Sequence, residues 1–147
     1  MRRKILPVLV LVIALAACNH DDTPFENEQA STFTEISTTD LGEAGAAEIS
    51  AYDPITKKLF VVTNSGSFTR IDVLDFANPA SPIVTGFIDI SSYGGGVNSV
   101  AVYEGKLAAA VEAVVKTDPG KVVVFKTTDH SLVKQVTVGR LTRYDHV

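Results

Sequence analysis

The sequence predicts an all-β domain in which a unit of four short strands occurs twice. From about residue 46 onward, the 147-residue chain consists of short runs of apolar and β-branched residues separated by turn sequences. No segment keeps a helical period of apolar residues over three turns. Segments of the first half also have counterparts about 50 residues later, a spacing typical of repeat proteins.

The first four predicted strands are bounded by turn sequences. They cover residues 49–52, 59–63, 70–76 and 83–90. Asp53-Pro54 ends the first strand, where Asp accepts local backbone hydrogen bonds and Pro fixes φ. In the third strand Ile71 and Val73 alternate with polar residues, so Asp72 between them is predicted to face solvent. The run Gly94-Gly95-Gly96 is predicted to be a flexible link to the second unit.

The second half repeats this pattern. Residues 50–53, 58–61, 70–74 and 81–83 align with residues 101–104, 106–109, 121–125 and 131–133, at offsets of 51, 48, 51 and 50. Four strands in about 40 to 50 residues is the size of one β-propeller blade. Ile71, Val73, Val122 and Val124 are predicted to point into the packing between two four-stranded antiparallel sheets. The Ala-rich segment 107–115 is ambiguous, since alanine favours helix but the repeat favours strand.

Residues 1–17 are predicted to be a bacterial lipoprotein signal peptide. Three cations at positions 2–4 precede an apolar run that is too short to span a bilayer but suits a secretory signal. The run ends at residues 15–18 in a sequence that resembles the lipobox. Cleavage is therefore expected between Ala17 and Cys18, and acyl chains on Cys18 would anchor the protein stably in a membrane. A core helix and an ordinary signal with an incidental cysteine are the alternatives.

Residues 18–39 are predicted to be an acidic, flexible tether, because they bury too little apolar surface to fold. Loss of the signal removes three cations and no acid, so the formal net charge falls from −4 to −7. Such a chain is not expected to bind nucleic acid. Asp21 and Asp22 resemble a surface-export signal, with a merely soluble tether as the alternative.

Two parts of the chain resemble the bacterial choice-of-anchor I proteins. Residues 45–53 and 59–64 look like the first blade of that family, and residues 95–102 look like the start of the second. The resemblance implies a secreted or surface-anchored β-propeller, similar to the lactonase-like propellers and often labelled alkaline-phosphatase-like. It covers about residues 40–139, and the family's proteins are much longer than this chain.

The resemblance and the repeat together divide the chain into segments. The predicted blades cover about residues 40–91 and 92–139. A tail at 140–147 matches neither blade opening. The chain is therefore expected to be a truncated propeller, and a two-blade subunit that completes its ring by oligomerising is the alternative.

The sequence offers few groups for catalysis. His20, His130 and His146 are far apart and lack a second ligand at metal-binding spacing, so neither a metal site nor another cofactor is predicted. No nucleophile-elbow motif is present, and no catalytic residue is assigned. Glu48 and Asn98 stand at equivalent places at the entrance of the two predicted inner strands, and they are the candidate ligand-facing residues. Their alternative role is hydrogen bonding to neighbouring backbone.

These observations predict a lipid-anchored, extracytoplasmic binding module rather than an enzyme. Its expected place is the outer membrane or the cell surface of a Gram-negative bacterium. Its expected partners are the membrane, through Cys18, and an unidentified protein or small molecule. The alternative is a phosphatase-like or lactonase-like hydrolase whose catalytic part lies in further blades.

Overall fold

Eight β-strands form two sheets in the part of the chain that the computed structural model describes, residues 34–42, 46–65 and 68–138. Sheet A contains β1 (Ala46–Asp53), β2 (Lys58–Asn64), β3 (Thr69–Asp75) and β4 (Ile83–Asp89). Sheet B contains β5 (Gly96–Tyr103), β6 (Lys106–Glu112), β7 (Lys121–Lys126) and β8 (Leu132–Thr137). In each sheet the strands follow chain order and pair antiparallel.

The prediction of an all-β fold with two four-stranded antiparallel sheets is confirmed. The ambiguous segment 107–115 contributes to strand β6. The described residues contain no helix of the length and apolarity needed to cross a membrane. The predicted signal peptide 1–17, Cys18, most of the predicted tether and the predicted tail 140–147 lie outside the described residues, as do His20 and His146.

Turn chemistry explains where the first hairpin of each sheet closes. Asp53 ends β1 and is only 1% exposed. Its carboxylate accepts hydrogen bonds from the backbone N–H of Ile55 at 3.0 Å and from the hydroxyl of Thr56 at 2.8 Å. In sheet B the turn is the pair Glu104-Gly105, with φ values of 45° and 71°. Two residues with positive φ suit a tight hairpin, and glycine adopts that conformation without strain.

An apolar core joins the two sheets. Sheet A contributes Phe60, Val62, Ile71, Val73, Ile88 and Ile90, and sheet B contributes Val97, Val100, Leu107, Ala109, Val111, Val123 and Phe125. These side chains come mostly from alternate positions, as expected for strands with one face in the core. Strand β5 packs against β1, β2 and β3, so sheet B begins directly beside sheet A. Burying each large side chain stabilises the fold by about 1.5–3 kcal/mol.

The predicted orientation of β7 was wrong by one residue. Ile71 and Val73 point into the core as predicted, but in β7 Val123 and Phe125 occupy the core. Val122 and Val124 lie half-buried on the opposite face. Apolar side chains occupy both faces of this strand, so alternation does not fix its phase. A slip of one residue reverses the face of every side chain in a strand.

Asp72 does not face solvent as predicted. It is 2% exposed on the outer face of sheet A, which is the face turned away from sheet B. Its carboxylate pairs with Arg70 Nε at 2.9 Å and accepts a hydrogen bond from the Thr63 hydroxyl at 2.7 Å. The Arg70 Cζ atom lies 4.2 Å from the centroid of the Phe68 ring and 5.4 Å from that of Phe87. The aspartate is therefore buried with its counter-ion and a hydrogen-bond donor.

Residues 37–41 lie against the outer face of sheet A. The Ser37 hydroxyl donates to the carbonyl of Pro79 at 2.7 Å. Ser37 and Leu41 line a groove of about 280 Å³, which Val61 and Leu74 of the sheet also line. Both of these sheet residues are buried. The end of the segment predicted as a tether thus contacts the sheet.

Candidate functional site

The candidate residue Asn98 lies at an irregular point in the first strand of sheet B. Pairing of β5 with β6 passes from Val97–Val111 directly to Ser99–Ala110. Asn98 is therefore the extra residue of a β-bulge. Bulges are common beside functional sites because they redirect a side chain.

The other candidate, Glu48, lies in a similar irregularity of β1. There the pairing with β2 shifts between Ala46 and Ser50, and Glu48 lies between them. The structure describes the position of Glu48 in the strand but not its side chain. Because β1 and β5 contact each other, the two irregular segments belong to neighbouring first strands.

Asn98 is exposed and lines a groove of about 410 Å³, called here the Asn98 groove. Its apolar lining comes from Ala110, Val111, Val122 and Val138, and its polar lining comes from Asn98, Glu112, Lys116, Asp118 and Lys121. Glu112 Oε1 lies 3.7 Å from Lys116 Nζ. An exposed ion pair of this kind contributes at most about 1 kcal/mol. Both charges are therefore free to exchange this contact for one with a ligand.

A second groove, of about 320 Å³, lies beside the loop between β6 and β7. Ser91, Ser92 and Tyr93 provide hydroxyl groups along it, and Asp118 and Lys121 line it as well as the Asn98 groove. Polar groups around an apolar floor are typical of sites that bind small molecules. Sequence reasoning missed Glu112, Lys116 and Lys121. No local sequence signal marks them, because strand pairing brings them beside Asn98.

The glycine run is held in place at this end of the sheets. It joins β4 to β5, which confirms the predicted link between the two units. The N–H of Gly95 donates to the carbonyl of Glu112 at 2.9 Å, and the Thr69 hydroxyl donates to the carbonyl of Gly95 at 3.1 Å. A Cβ atom on Gly94 would lie 2.1 Å from the oxygen of Glu112. Close packing therefore explains why glycine is required here.

Asn64 fixes the start of β5 beside the groove. Its side-chain amide donates to the carbonyl of Val97 at 2.8 Å and accepts from the N–H of Val97 at 3.1 Å. The amide thus substitutes for a strand partner at the residue before Asn98. Since buried backbone groups need such partners, this contact stabilises the bulge.

The groove groups are suited to hydrogen bonding and charge pairing. No group of three or more His, Cys, Asp or Glu side chains that could hold a metal ion occurs among the described residues. His130, the histidine of that part of the chain, lies in the β7–β8 turn at the other end of the sheets, beside Phe60 and Lys58. The Asn98 groove therefore combines an amide, two carboxylates and two ammonium groups without a histidine.

Comparison with known proteins gives one family. A model of the choice-of-anchor I domain matches residues 48–144. The match begins in β1, passes through both sheets and extends to residue 144, within the segment predicted to be a separate tail. No curated protein and no solved structure matches the chain significantly.

Proposed function

Because the chain belongs to the choice-of-anchor I domain family, we propose that it is a lipid-anchored, extracytoplasmic binding module built from two successive β-propeller blades. Membership in this family points to a cell-surface or extracellular protein. The family match across both sheets is the observation that carries the proposal. The lipid anchor rests on the sequence at residues 15–18.

The blade interpretation is supported by how the sheets are built. Both have four antiparallel strands in chain order, and the link from β4 leads to the first strand of the next sheet. The outer face of sheet B is also apolar, with Ala108, Ala110, Val122 and Val124 on it. A face of this composition suits packing against a further sheet, as between neighbouring blades.

Binding is favoured over hydrolysis by the groups that surround Asn98. Two lysines and two carboxylates can pair with a ligand that carries both charges, and the Asn98 amide can both donate and accept hydrogen bonds. The apolar floor would pack against carbon atoms of the ligand. The proposed ligand class is therefore a small polar molecule or an exposed protein loop with mixed charges.

We expect small polar molecules to bind at the Asn98 groove. Adding mixtures of monosaccharides and amino acids to the ¹⁵N-labelled full chain should shift the amide signals of Asn98, Glu112 and Lys121. Asn98→Ala should weaken those shifts, while Asn78→Ala, at an exposed position in another loop, should not. Shifts confined to other regions would contradict the binding site. Hydrolysis of p-nitrophenyl phosphate that Glu48→Ala abolishes would instead favour the hydrolase.

The lipid anchor predicts a specific covalent form. In membranes, intact mass analysis should find a chain that begins at Cys18 and carries acyl groups. Cys18→Ala should move the protein out of the membrane fraction, because no other cysteine can accept the lipid. Ser31→Ala serves as the control and should stay with the membrane. Membrane attachment that survives Cys18→Ala would contradict the anchor.

A further inference from the structure

A lysine joins the two sheets at the end opposite the Asn98 groove. Lys58 begins β2 in sheet A, and its ammonium group donates to the carbonyl of Thr127 at 3.1 Å and to that of Thr128 at 2.9 Å. Both carbonyls belong to the β7–β8 turn of sheet B. The same Nζ atom lies 3.3 Å from Nε2 of His130. We call these residues the Lys58–His130 contact.

His130 is held tightly in this contact. Its φ is 60°, and its backbone N–H donates to the carbonyl of Lys126 at 3.1 Å. Its ring meets the ring of Phe60 edge-on, with the centroids 6.0 Å apart and the planes at 90°. Phe60 is fully buried in the core between the sheets. The imidazole therefore lies between the core and the lysine.

The geometry requires a neutral imidazole. An ammonium group has donors and no acceptor, so Nε2 of His130 must be the acceptor and Nδ1 must carry the proton. Protonation of Nε2 would replace this hydrogen bond by two positive charges 3.3 Å apart. Burial lowers the pKa of His130, and the charge of Lys58 lowers the pKa further, against the opposing effect of Asp129.

Three other charged residues lie nearby: Asp53, Lys126 and Asp129. Asp53 is the strand partner of Lys58, and its carboxylate already interacts with Ile55 and Thr56 of its own turn and with the hydroxyl of Thr127 in the β7–β8 turn. Lys126, at the end of β7, is exposed. Asp129 is the nearest negative charge, but its carboxylate accepts hydrogen bonds from the N–H and hydroxyl of Ser131. Within the described residues, neither of these two carboxylates is therefore free to become the partner of a protonated His130.

We propose that His130 makes the contact between the two sheets sensitive to mild acid. Protonation of His130 releases Lys58 from the β7–β8 turn and loosens this end of the pair of sheets. The groove end, where Asn64 and Gly95 make uncharged hydrogen bonds, keeps its contacts. This pH sensitivity is a property of the two packed sheets and does not depend on the proposed function.

The direction of the pH effect follows from the lowered pKa. In the unfolded chain His130 has the ordinary histidine pKa of 6.5, and in the folded protein its pKa is lower. The neutral His130 side chain therefore stabilises the fold fully above pH 6.5. This stabilisation is lost as the pH falls through and below 6.5. For each pH unit, the equilibrium constant for opening of the Lys58–His130 contact rises by up to about tenfold. Carboxylates ordinarily titrate near pH 4, and hydrogen bonds from Ser131 lower the pKa of Asp129 further. Loss of stability between pH 7 and pH 5 therefore reports on histidine.

Thermal unfolding of the full chain between pH 8 and pH 5 tests this pH sensitivity. The unmodified chain and the control His146→Gln should lose thermal stability as the pH falls from 7 to 5. His130→Gln, which keeps a hydrogen-bonding side chain without a titrating group, should show little change over that interval. An unmodified chain that is insensitive to pH in this range, or a His130→Gln variant as sensitive as the unmodified chain, would overturn the proposal.

Hydrogen exchange of the unmodified chain provides a second test that needs no variant. The N–H groups of Thr127 and His130 donate to Gly105 and Lys126, while that of Gly95 donates at the groove end. After correction for intrinsic exchange, protection of Thr127 and His130 should fall at pH 5.5 relative to pH 7.5, and that of Gly95 should not. An equal loss of protection at both ends would contradict a local contact.

Discussion

Phe60→Ala is expected to destabilise the two-sheet domain by about 3–5 kcal/mol, the cost of truncating a buried phenylalanine. Phe60 is 0% exposed and belongs to the core that contains residues of both sheets. Small domains have a total stability of only about 5–15 kcal/mol. The urea midpoint of unfolding, measured on the full chain, should fall sharply, and a large fraction of the variant should be unfolded near physiological temperature.

Tyr103→Ala is the matched control for this substitution. Tyr103 is also an aromatic strand residue, but it is 75% exposed. Surface substitutions usually change stability by less than about 0.5 kcal/mol. If Tyr103→Ala lowered the urea midpoint as much as Phe60→Ala does, the core between the sheets would not be the main source of stability.

Gly94→Ala is expected to have the second large effect. The added methyl group would lie 2.1 Å from the carbonyl oxygen of Glu112 and 2.7 Å from Cγ1 of Val111. The same carbonyl accepts the hydrogen bond from Gly95, so it cannot move away without breaking that contact. Overpacking of this kind costs about 1–3 kcal/mol or more. The urea midpoint should fall, and ligand binding at the Asn98 groove should weaken, because Glu112 lines it.

Ser92→Ala serves as the control for Gly94→Ala. Ser92 is an exposed residue of the same link and should tolerate the change with nearly unaltered stability. If Gly94→Ala were as stable as Ser92→Ala, the segment between β4 and β5 would not be in close contact with β6. Glycine would then not be needed for close packing there.

Much of the fold could be predicted because local signals agreed with one another. Turn residues such as Asp53 bound the strands. The repeat favoured a strand in segment 107–115 despite the helical preference of alanine, and the strand prediction holds for residues 107–112. The four-residue apolar run 122–125 shows the limit of this reasoning. Where both faces of a strand are apolar, sequence alone does not show which face lies in the core.

The site was only partly predictable because its groups come together through tertiary structure. Asn98 was found from its place in the repeat, and the bulge explains that place. Glu112 and Lys121 come from two different strands and meet beside Asn98 only when the hairpin forms. Asp72 is a similar case, since its partners Arg70 and Thr63 surround it only after β2 and β3 pair.

The stacking of the two sheets is tested most directly by nuclear Overhauser effects in the isotope-labelled full chain. The aromatic protons of Phe60 should show cross-peaks to the ring of His130, and the side-chain amide of Asn64 should show one to the N–H of Val97. These two contacts join sheet A to sheet B at opposite ends. Absence of both, with cross-peaks instead from Phe60 to Val122 or Val124, would contradict the arrangement.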